Sequence, residues 1–403
     1  MPPLARTAFL VGVVLLAATI GWMTARDSFD PVTALGVRTM EPHFADVRTF
    51  TGARVALDRG LDPLVENPGD PWNRPLNYPR IWLLPAYLGV GPGQTKACAI
   101  AIFAAFLAGL LALAPLVRTP GTAALLLAIV FSPVAWLAVE RANSDLLVVA
   151  ILIAAARFAA SRPAAAAFAV TTAAVLKLFP VFALPGLASG RRGSFRSVAV
   201  AAAVFVAYAI WIRADLPSIA RNLQTWHPIS YGITLMPRAA ADAMGWSYAV
   251  LLTIAATALG AVAVLALRLR RRVRITGAQD AGAFAAFRVG APVFVGTFCL
   301  GSNFDYRLLV LLLVGPQLVA WVRSARLRRP AMLAATTVVL TVWSATWRLA
   351  LAPLPGGHEL GLVLDEVLCW SLVCGLLVAF VLALPDAVLP VRFRLATPID
   401  EPA

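Results

Sequence analysis

Charged residues are scarce in this chain. Only 13% of its 403 residues are Asp, Glu, Lys or Arg, whereas 60% are hydrophobic. Soluble domains have about 25% charged and about 45–50% apolar residues. A soluble globule of this length could not hide so much apolar surface behind so few charges. The composition therefore excludes an ordinary cytosolic enzyme, a disordered protein and a nucleic-acid-binding domain. It predicts an all-α polytopic membrane protein.

Several motifs of known chemistry are also missing. The four cysteines, Cys98, Cys299, Cys369 and Cys374, lie in or beside apolar runs and have neither metal-site nor disulfide-framework spacing. The chain has no P-loop, no Gly-rich dinucleotide turn, no nucleophile elbow and no zinc-site spacing. These absences argue against an ATP-driven transporter and against a cytosolic nucleotide-sugar enzyme.

Long apolar runs divide the chain into ten to twelve predicted transmembrane helices, each needing about 20 mostly apolar residues. The first run, 8–24, could be a signal peptide or a retained anchor, and the many later runs favour the anchor. We expect the whole chain, 1–403, to form a single membrane domain. The later runs fall at 97–117, 121–139, 146–160, 164–176, 178–189, 197–212, 248–267, 283–300, 308–322, 331–350 and 362–384.

The basic residues predict the orientation of these helices. The net charge is +14, and the arginines cluster in short loops between apolar runs, as in the cytoplasmic loops of membrane proteins. The charge therefore indicates topology in a cell inner membrane, and no nucleic-acid partner is expected. The cytoplasmic face also receives the tail 385–403. With twelve spans it carries the clusters Arg191, Arg192 and Arg196; Arg268, Arg270, Arg271, Arg272 and Arg274; and Arg323, Arg326, Arg328 and Arg329.

The opposite, exterior face carries most of the carboxylates and all three histidines. It comprises the segments 25–80 and 213–247 and the turns 140–145, 302–307 and 353–360. Because chemistry tends to lie in loops placed by a rigid scaffold, we expect the function on this face. The stretch His43–Arg59 in the first segment has apolar residues three and four apart. This pattern predicts an amphipathic interfacial helix that lies along the membrane surface or on other helices.

Short polar segments carry the candidate functional groups, and each also has a purely structural interpretation. Asp46 could act chemically, or it could favour the N terminus of its helix. Tyr78 could contact a substrate or be an interfacial aromatic residue. Asn143 and Asp145 could bind a substrate or begin the next helix. Lys177, a lone lysine in an apolar stretch, needs an anion, and either a phosphate group or Asp145 would serve.

Two further segments belong to the candidate site. Asp305, Tyr306 and Arg307 form an outer turn in which the carboxylate and the guanidinium either face a substrate or pair with each other. In the second large exterior loop, Trp226 could provide a platform for a sugar and His227 a hydrogen-bonding group. A lone His and Trp at a membrane interface are more often structural.

Taken in order, these segments resemble the integral-membrane glycosyltransferases of the C superfamily. The closest likeness is to glycosyltransferase family 87, which includes polyprenyl-phosphate-mannose-dependent mannosyltransferases. The likeness covers roughly residues 8–325, with Val47 at a usually aromatic position and Arg141 at a glycine-like one. Its motifs are Asp46-Val47-Arg48-Thr49-Phe50 leading to Gly60-Leu61-Asp62-Pro63, Tyr78-Pro79-Arg80-Ile81-Trp82, Asn143-Ser144-Asp145-Leu146-Leu147, Leu176-Lys177-Leu178-Phe179-Pro180 and Asp305-Tyr306-Arg307.

The resemblance implies an inverting enzyme that moves a hexose or pentose from a polyprenyl-phosphate sugar to a lipid or glycan acceptor at the outer face, in contact with membrane lipids. It implies that Asp46 is the general base for the acceptor hydroxyl. It also implies that Lys177, Arg307 and Arg141 bind the phosphate of the leaving group. With cations at the phosphate and no pair of carboxylates spaced as a metal site, we expect neither a metal nor a cofactor.

Two alternatives remain open. The first is a polytopic transporter or flippase of lipid-linked sugars, although the two halves of the chain show no convincing repeat. The second is an oligosaccharide polymerase or ligase. Such an enzyme would place its large exterior loop late in the chain, whereas here the largest loop comes first.

Reporter fusions test the predicted topology. Fusions at Arg192, Arg271 and Arg328 should report a cytoplasmic location, and a fusion at about residue 65 an exterior one, because the basic loops stay in the cytoplasm. A cytoplasmic signal from the fusion at about residue 65 would reverse the orientation of the whole candidate site.

Overall fold

The computed structural model describes residues 2–189, 192–223, 229–277, 280–386, 388 and 397–398. Most of the predicted tail 385–403 therefore lies outside the described residues. Up to residue 189 the helices are α1 (Pro2–Arg26), α2 (Ala45–Asp58), α3 (Leu84–Tyr87), α4 (Thr95–Leu113), α5 (Pro120–Val130), α6 (Pro133–Arg141), α7 (Asp145–Phe158), α8 (Pro163–Lys177) and α9 (Leu184–Leu187). Beyond it they are α10 (Arg192–Trp211), α11 (Leu216–Asn222), α12 (Leu235–Met244), α13 (Tyr248–Arg270), α14 (Ala281–Cys299), α15 (Gly315–Val322), α16 (Arg328–Val342), α17 (Ser344–Leu351) and α18 (Gly357–Ala383).

Other regular structure in the described residues is short. The 3₁₀ helices are Asp30–Leu35, Arg80–Leu83, Pro92–Gln94, Ala114–Leu116, Phe179–Ala183 and Asp305–Leu313. The strands are β1 (Ser230–Tyr231), β2 (Val273–Arg274), β3 (Asn303–Phe304) and β4 (Thr397–Pro398). Strand β1 pairs antiparallel with β3, with Ser230 opposite Phe304, and β2 pairs parallel with β4. The architecture is thus built from helices.

Six of the described helices, α1, α4, α10, α13, α14 and α18, are long and apolar enough to cross a membrane. Helices α10 and α13 expose large apolar side chains such as Val204, Ile210, Ile254 and Leu265. A helix surrounded by water would not leave such side chains uncovered, whereas lipid tails cover them without cost. Helix α14, in contrast, is mostly buried by its neighbours. The protein is therefore an all-α, multi-pass membrane protein.

Three further helix pairs are together long and apolar enough to cross a membrane, but each is bent. Helices α5 and α6 meet at 46°, the 3₁₀ helix Asp305–Leu313 and α15 at 52°, and α16 and α17 at 67°. Pro133 at the start of α6 and Pro316 at the start of α15 lack the N–H that would continue the preceding helix. Counting each bent pair as one span gives nine in the described residues.

The predicted number of spans, ten to twelve, is higher because three of the predicted apolar runs form helices too short to cross a membrane. Runs 146–160 and 164–176 become α7 and α8, with 14 and 15 residues. Run 178–189 becomes the 3₁₀ helix Phe179–Ala183 followed by the four residues of α9. At 1.5 Å per residue, helices of this length reach only about 21–23 Å, less than the hydrocarbon core of a bilayer.

Helix α2 confirms the amphipathic helix that the sequence predicts at His43–Arg59, within two residues at each end. It packs against α3, α4 and α6. The helix therefore lies on other helices, which is one of the two positions that the sequence predicts. Its buried residues are Ala45, Val47, Thr49, Phe50, Thr51, Gly52, Ala53 and Ala56. Burial on several sides explains why small residues interrupt the apolar stripe.

The polar turns of the predicted exterior face meet at one end of the helix bundle. The N–H of Phe44, just before α2, donates to the carbonyl oxygen of Glu140 at 3.1 Å. The indole of Trp82 donates to the carbonyl oxygen of Leu176, near the end of α8, at 2.9 Å. Lys177 and the turn before Asp305–Leu313 come together on the same side. The loops of the predicted basic face are joined separately, as by the ion pair Arg118–Asp280 at 3.2 Å.

Two glycines allow α2 to lie against the loop that follows it. A Cβ on Gly52 would come 2.5 Å from the carbonyl carbon of Gly69, and a Cβ on Gly69 would overlap the carbonyl oxygen of Gly52. Real Cβ atoms do not approach backbone this closely. The contact fixes the position of the loop 66–75 on the helix.

Gly52→Ala should therefore destabilise the protein by about 1–3 kcal/mol, because the loop must move away from α2. Gly21→Ala in α1 is the matched control. A Cβ there meets nothing within 4 Å, and Ala is favoured over Gly in a helix by about 0.5–1 kcal/mol. The measurement is the free energy of unfolding in detergent. Equal effects of the two substitutions would contradict the close contact.

Candidate functional site

Two adjoining cavities lie at the end of the bundle where the polar turns meet. The larger has a volume of about 550 Å³, and its charged lining includes Asp46, Arg74 and Arg141. The smaller has a volume of about 230 Å³ and its charged lining residues are Lys177 and Arg307. Three residues, Asn77, Phe304 and Tyr306, line both cavities. The two spaces therefore share a wall, with one carboxylate and three arginines (Arg38, Arg74 and Arg141) on one side and two cations on the other.

Asp46 lies in the first turn of α2 with its carboxylate at the larger cavity. Its Oδ2 accepts a hydrogen bond from Nδ2 of Asn143 at 2.5 Å. Its Oδ1 lies 3.7 Å from Nη1 of Arg74, and the side chain is 16% exposed. The carboxylate is thus held by two neighbours and remains open to the cavity.

Arg74 is a site residue that the sequence did not reveal. It pairs with Asp70 through Nη2 and Oδ2 at 2.8 Å, and it also donates to the carbonyl oxygen of Ala45. Asp70 is buried and accepts from the N–H of Trp72 at 2.9 Å. Arg74 therefore connects the loop 66–75 to the start of α2 beside Asp46. Its segment is irregular and rich in Pro and Asn, so no periodic signal marked it.

The cations of the smaller cavity share one buried carboxylate. Asp145 lies 3.0 Å from Nζ of Lys177 through Oδ1 and 3.5 Å from Nε of Arg307 through Oδ2, and its side chain is 1% exposed. Arg307 also donates to Oδ1 of Asn303. Of the two anions that could balance Lys177, Asp145 is present in the fold. Two cations against one carboxylate leave this group with one excess positive charge.

Asn143 links the two cavities. Its Nδ2 donates to Asp46, whereas its Oδ1 accepts from the N–H of Asp145 at 2.7 Å and from Nζ of Lys177 at 3.4 Å. The amide orientation is fixed, because one end meets a carboxylate and the other a cation. The alternative prediction that Asp145 begins the next helix is confirmed, since α7 begins at Asp145, but the residue at the N-cap is Ser144 and not Asn143.

Aromatic rings surround the cations. Nζ of Lys177 lies 4.5 Å from the ring centre of Tyr78 and 5.9 Å from that of Tyr306, and the guanidinium of Arg307 lies 5.0 Å from the ring centre of Phe179. Ring faces attract cations. Burial raises the pKa of the Tyr78 hydroxyl well above its ordinary value, so this phenol stays neutral and its ring can contact Lys177 without adding a charge.

Unusual backbone conformations mark the same site. The described chain has five non-glycine residues with positive φ, and four of them lie within two residues of a site side chain. Phe44 precedes Asp46, Asn73 precedes Arg74, Ala142 precedes Asn143 and Leu178 follows Lys177. Each such conformation costs about 1–3 kcal/mol and persists where the surroundings impose it, often at functional sites. The clustering is independent support for this group of residues.

The remaining candidates have different outcomes. Arg141 lines the larger cavity but is paired with the buried Glu140, Nε to Oε2 at 2.8 Å. Asp305 lines neither cavity, and the charges that act on it are those of Asp365 and Arg348. Its predicted alternative, a pair with Arg307, is wrong because Arg307 contacts Asp145 instead. Trp226 and His227 lie outside the described residues.

Among the described residues, no three His, Cys, Asp or Glu side chains are grouped to hold a metal ion.

In comparisons with protein-family models, curated proteins and solved structures, the chain has no match.

Removing one cation should expose the cost of the buried carboxylate. Lys177→Met should destabilise the protein by about 3–5 kcal/mol, because Asp145 loses its nearest cation. Lys96→Met is the control, since Lys96 is exposed and should change stability by less than about 0.5 kcal/mol. The readout is the free energy of unfolding in detergent.

The double variant Lys177→Met, Asp145→Asn and the single variant Asp145→Asn complete a double-mutant cycle. The double variant should be less destabilised than the sum of the single variants, because the charge left unpaired by one change is removed by the other. Strictly additive effects would show that the two side chains do not interact in the folded protein.

Proposed function

We propose that this protein is a membrane glycosyltransferase that moves a sugar from a polyprenyl-phosphate donor to a hydroxyl group of an acceptor. The observation that carries the proposal is the shared wall between a cavity with an accessible carboxylate and a cavity with two cations. Glycosyl transfer from a lipid phosphate needs both groups on opposite sides of the sugar. The motifs of the C superfamily contribute five of the residues concerned: Asp46, Tyr78, Asn143, Lys177 and Arg307.

The smaller cavity suits the lipid phosphate. Lys177 and Arg307 carry one positive charge more than Asp145 balances, which matches the single negative charge of a phosphodiester. The other walls include Leu178, Ile219, Leu223 and Leu300. Leu223 is 43% and Leu300 62% exposed, so the cavity opens along apolar side chains. A polyprenyl chain could follow them into the membrane while its phosphate stays with the cations.

The shared wall suits the sugar. Phe304 and Tyr306 offer ring surfaces 5.4 Å apart between their centroids. The Oδ1 atom of Asn77 is buried and has no hydrogen-bond partner in the described chain. A buried acceptor without a partner is costly, and a sugar hydroxyl would satisfy it. The sugar would then lie between the cations and Asp46.

The chemistry is one direct displacement. The acceptor hydroxyl enters from the larger cavity, and Asp46 takes its proton as the oxygen attacks the anomeric carbon. The bond from that carbon to the phosphate oxygen breaks, and the lipid phosphate leaves toward Lys177 and Arg307. Attack and departure on opposite faces invert the anomeric centre. Asn143 and Arg74 orient the carboxylate, and the positive-inside arrangement would put the reaction on the exterior face of an inner membrane.

The bent spans favour a second candidate, a transporter or flippase of lipid-linked sugars. Broken helices near a binding site are typical of transporters, and α5–α6 and Asp305–Leu313–α15 are both bent. Reconstituted protein distinguishes the two. A transferase makes a glycosylated acceptor in detergent, where no compartments exist, whereas a flippase has an effect only across a sealed bilayer.

Asp46→Asn should nearly abolish transfer while leaving donor binding intact. Asn keeps the size of the side chain but cannot accept the acceptor's proton. The loss of a general base lowers the rate about 10²–10⁴-fold, which corresponds to about 3–5 kcal/mol of barrier. The measurement is kcat with purified protein and a polyprenyl-phosphate sugar, together with donor affinity.

Asp58→Asn is the matched control. Asp58 belongs to the same helix but is exposed and paired with Arg54 at 2.9 Å. It should keep kcat near that of the parent, as should Asp30→Asn and Glu41→Gln in the same segment. Activity of Asp46→Asn within threefold of the parent would overturn its assignment as the base.

A further inference from the structure

Arg288 is a half-buried arginine that makes no ion pair with a carboxylate in the described chain. It lies seven residues after the start of α14, about 10 Å along the helix axis. The side chain donates from Nη2 to the carbonyl oxygen of Ala188. Its Nε is buried without a hydrogen-bond partner. A charged residue inside a membrane span is rare and usually has a partner or a function.

A cavity adjoins this guanidinium. Its volume is about 410 Å³, ample for a phosphate group with part of its substituent. Small residues form much of the wall, and Ser189 adds a polar group. The lining includes Ala159, Gly186, Ser189, Ala285 and Arg288. The cavity lies where the end of α7, the end of α9 and the first turns of α14 meet, so it opens among the loops of the predicted basic face.

The surrounding charges leave the pocket positive. Arg270 acts on Arg288 with a charge of the same sign. Two carboxylates of the predicted basic face are already paired: Asp280 with Arg118 at 3.2 Å, and Asp386 with Arg270 at 3.2 Å. Because the Nε of Arg288 is buried without a hydrogen-bond partner, an anion from outside the chain would stabilise this cation.

Close packing keeps Arg288 in this place. A Cβ on Gly186 would overlap the carbonyl oxygen of Arg288, so α9 lies directly against the backbone of α14 at this residue. The guanidinium lies 5.9 Å from the ring centre of Phe284, one turn earlier on the same helix. The hydrogen bond to the carbonyl oxygen of Ala188 uses one of the five N–H donors of the guanidinium. The remaining donors can form a fork toward an anion in the cavity.

We propose that this pocket binds a phosphate group, held by the guanidinium of Arg288. The source is either the head group of an anionic membrane lipid or a free phosphate compound. Basic pockets between transmembrane helices on the cytoplasmic side commonly bind lipid phosphates. The site lies apart from Lys177 and Arg307, which are at the other end of the bundle, and it does not depend on the proposed glycosyl transfer.

Thermal unfolding of delipidated protein in a neutral detergent tests the proposal. The probes are phosphatidylglycerol, phosphatidylcholine and inorganic phosphate. Phosphatidylglycerol should raise the Tm of the parent, and Arg288→Gln should need at least tenfold more lipid for the same rise. Arg162→Gln is the control, because Arg162 is an exposed arginine in the loop after α7. It should behave as the parent.

The probes identify the source of the phosphate. A response to phosphatidylglycerol but not to inorganic phosphate supports a lipid head group, and a response to both supports a free phosphate compound. A response to phosphatidylcholine equal to that of phosphatidylglycerol would show apolar binding alone and overturn the proposal. Equal shifts in Arg288→Gln and Arg162→Gln would also overturn it, as would no shift in the parent with any probe.

A second variant separates ligand binding from a structural role. Ala285→Leu fills part of the cavity and leaves the arginine in place, so it should weaken the lipid response at least tenfold even if Arg288→Gln does not fold. A normal lipid response in Ala285→Leu would mean that the cavity is not used. If Arg288→Gln lowers the Tm without ligand and Ala285→Leu keeps a normal lipid response, Arg288 would serve only to donate a hydrogen bond to the carbonyl oxygen of Ala188.

Discussion

The candidate site depends on one buried carboxylate. Asp145 has no contact with solvent, and its charge is tolerable only because Lys177 and Arg307 lie on either side of it. These three residues come from the start of α7, the end of α8 and the start of the 3₁₀ helix Asp305–Leu313. The ion pairs therefore connect three separate helices. The same cations also face the smaller cavity, so the interactions that join the helices also supply the charge for binding.

Elementary rules of burial predicted this part of the site from the sequence. A lysine in an apolar run must find an anion, and Asp145 was one of the two named. The helical spacing around Asp46 likewise predicted α2, whose limits differ by two residues at most. The helix is a local feature, and the ion pair follows from the free-energy cost of one charge in an apolar environment. Both can therefore be predicted from the sequence.

Other parts follow from three-dimensional packing and left no such signal. Arg74 and Asn77 lie in an irregular loop, and their position depends on the contact between Gly52 and Gly69. Asp305 is close to Arg307 in sequence, but the tight helical turn sends their side chains to different neighbours.

The amide of Asn143 has a consequence for how the two cavities communicate. One side chain donates to Asp46 and accepts from Lys177, so a ligand that draws the ammonium away changes the field that the amide applies to the carboxylate. Linkage then requires the reverse effect to be of equal size: a ligand that contacts Asp46 in the larger cavity alters the affinity for an anion beside Lys177 by the same factor. The amide of Asn143 therefore gives the two cavities a direct electrostatic link.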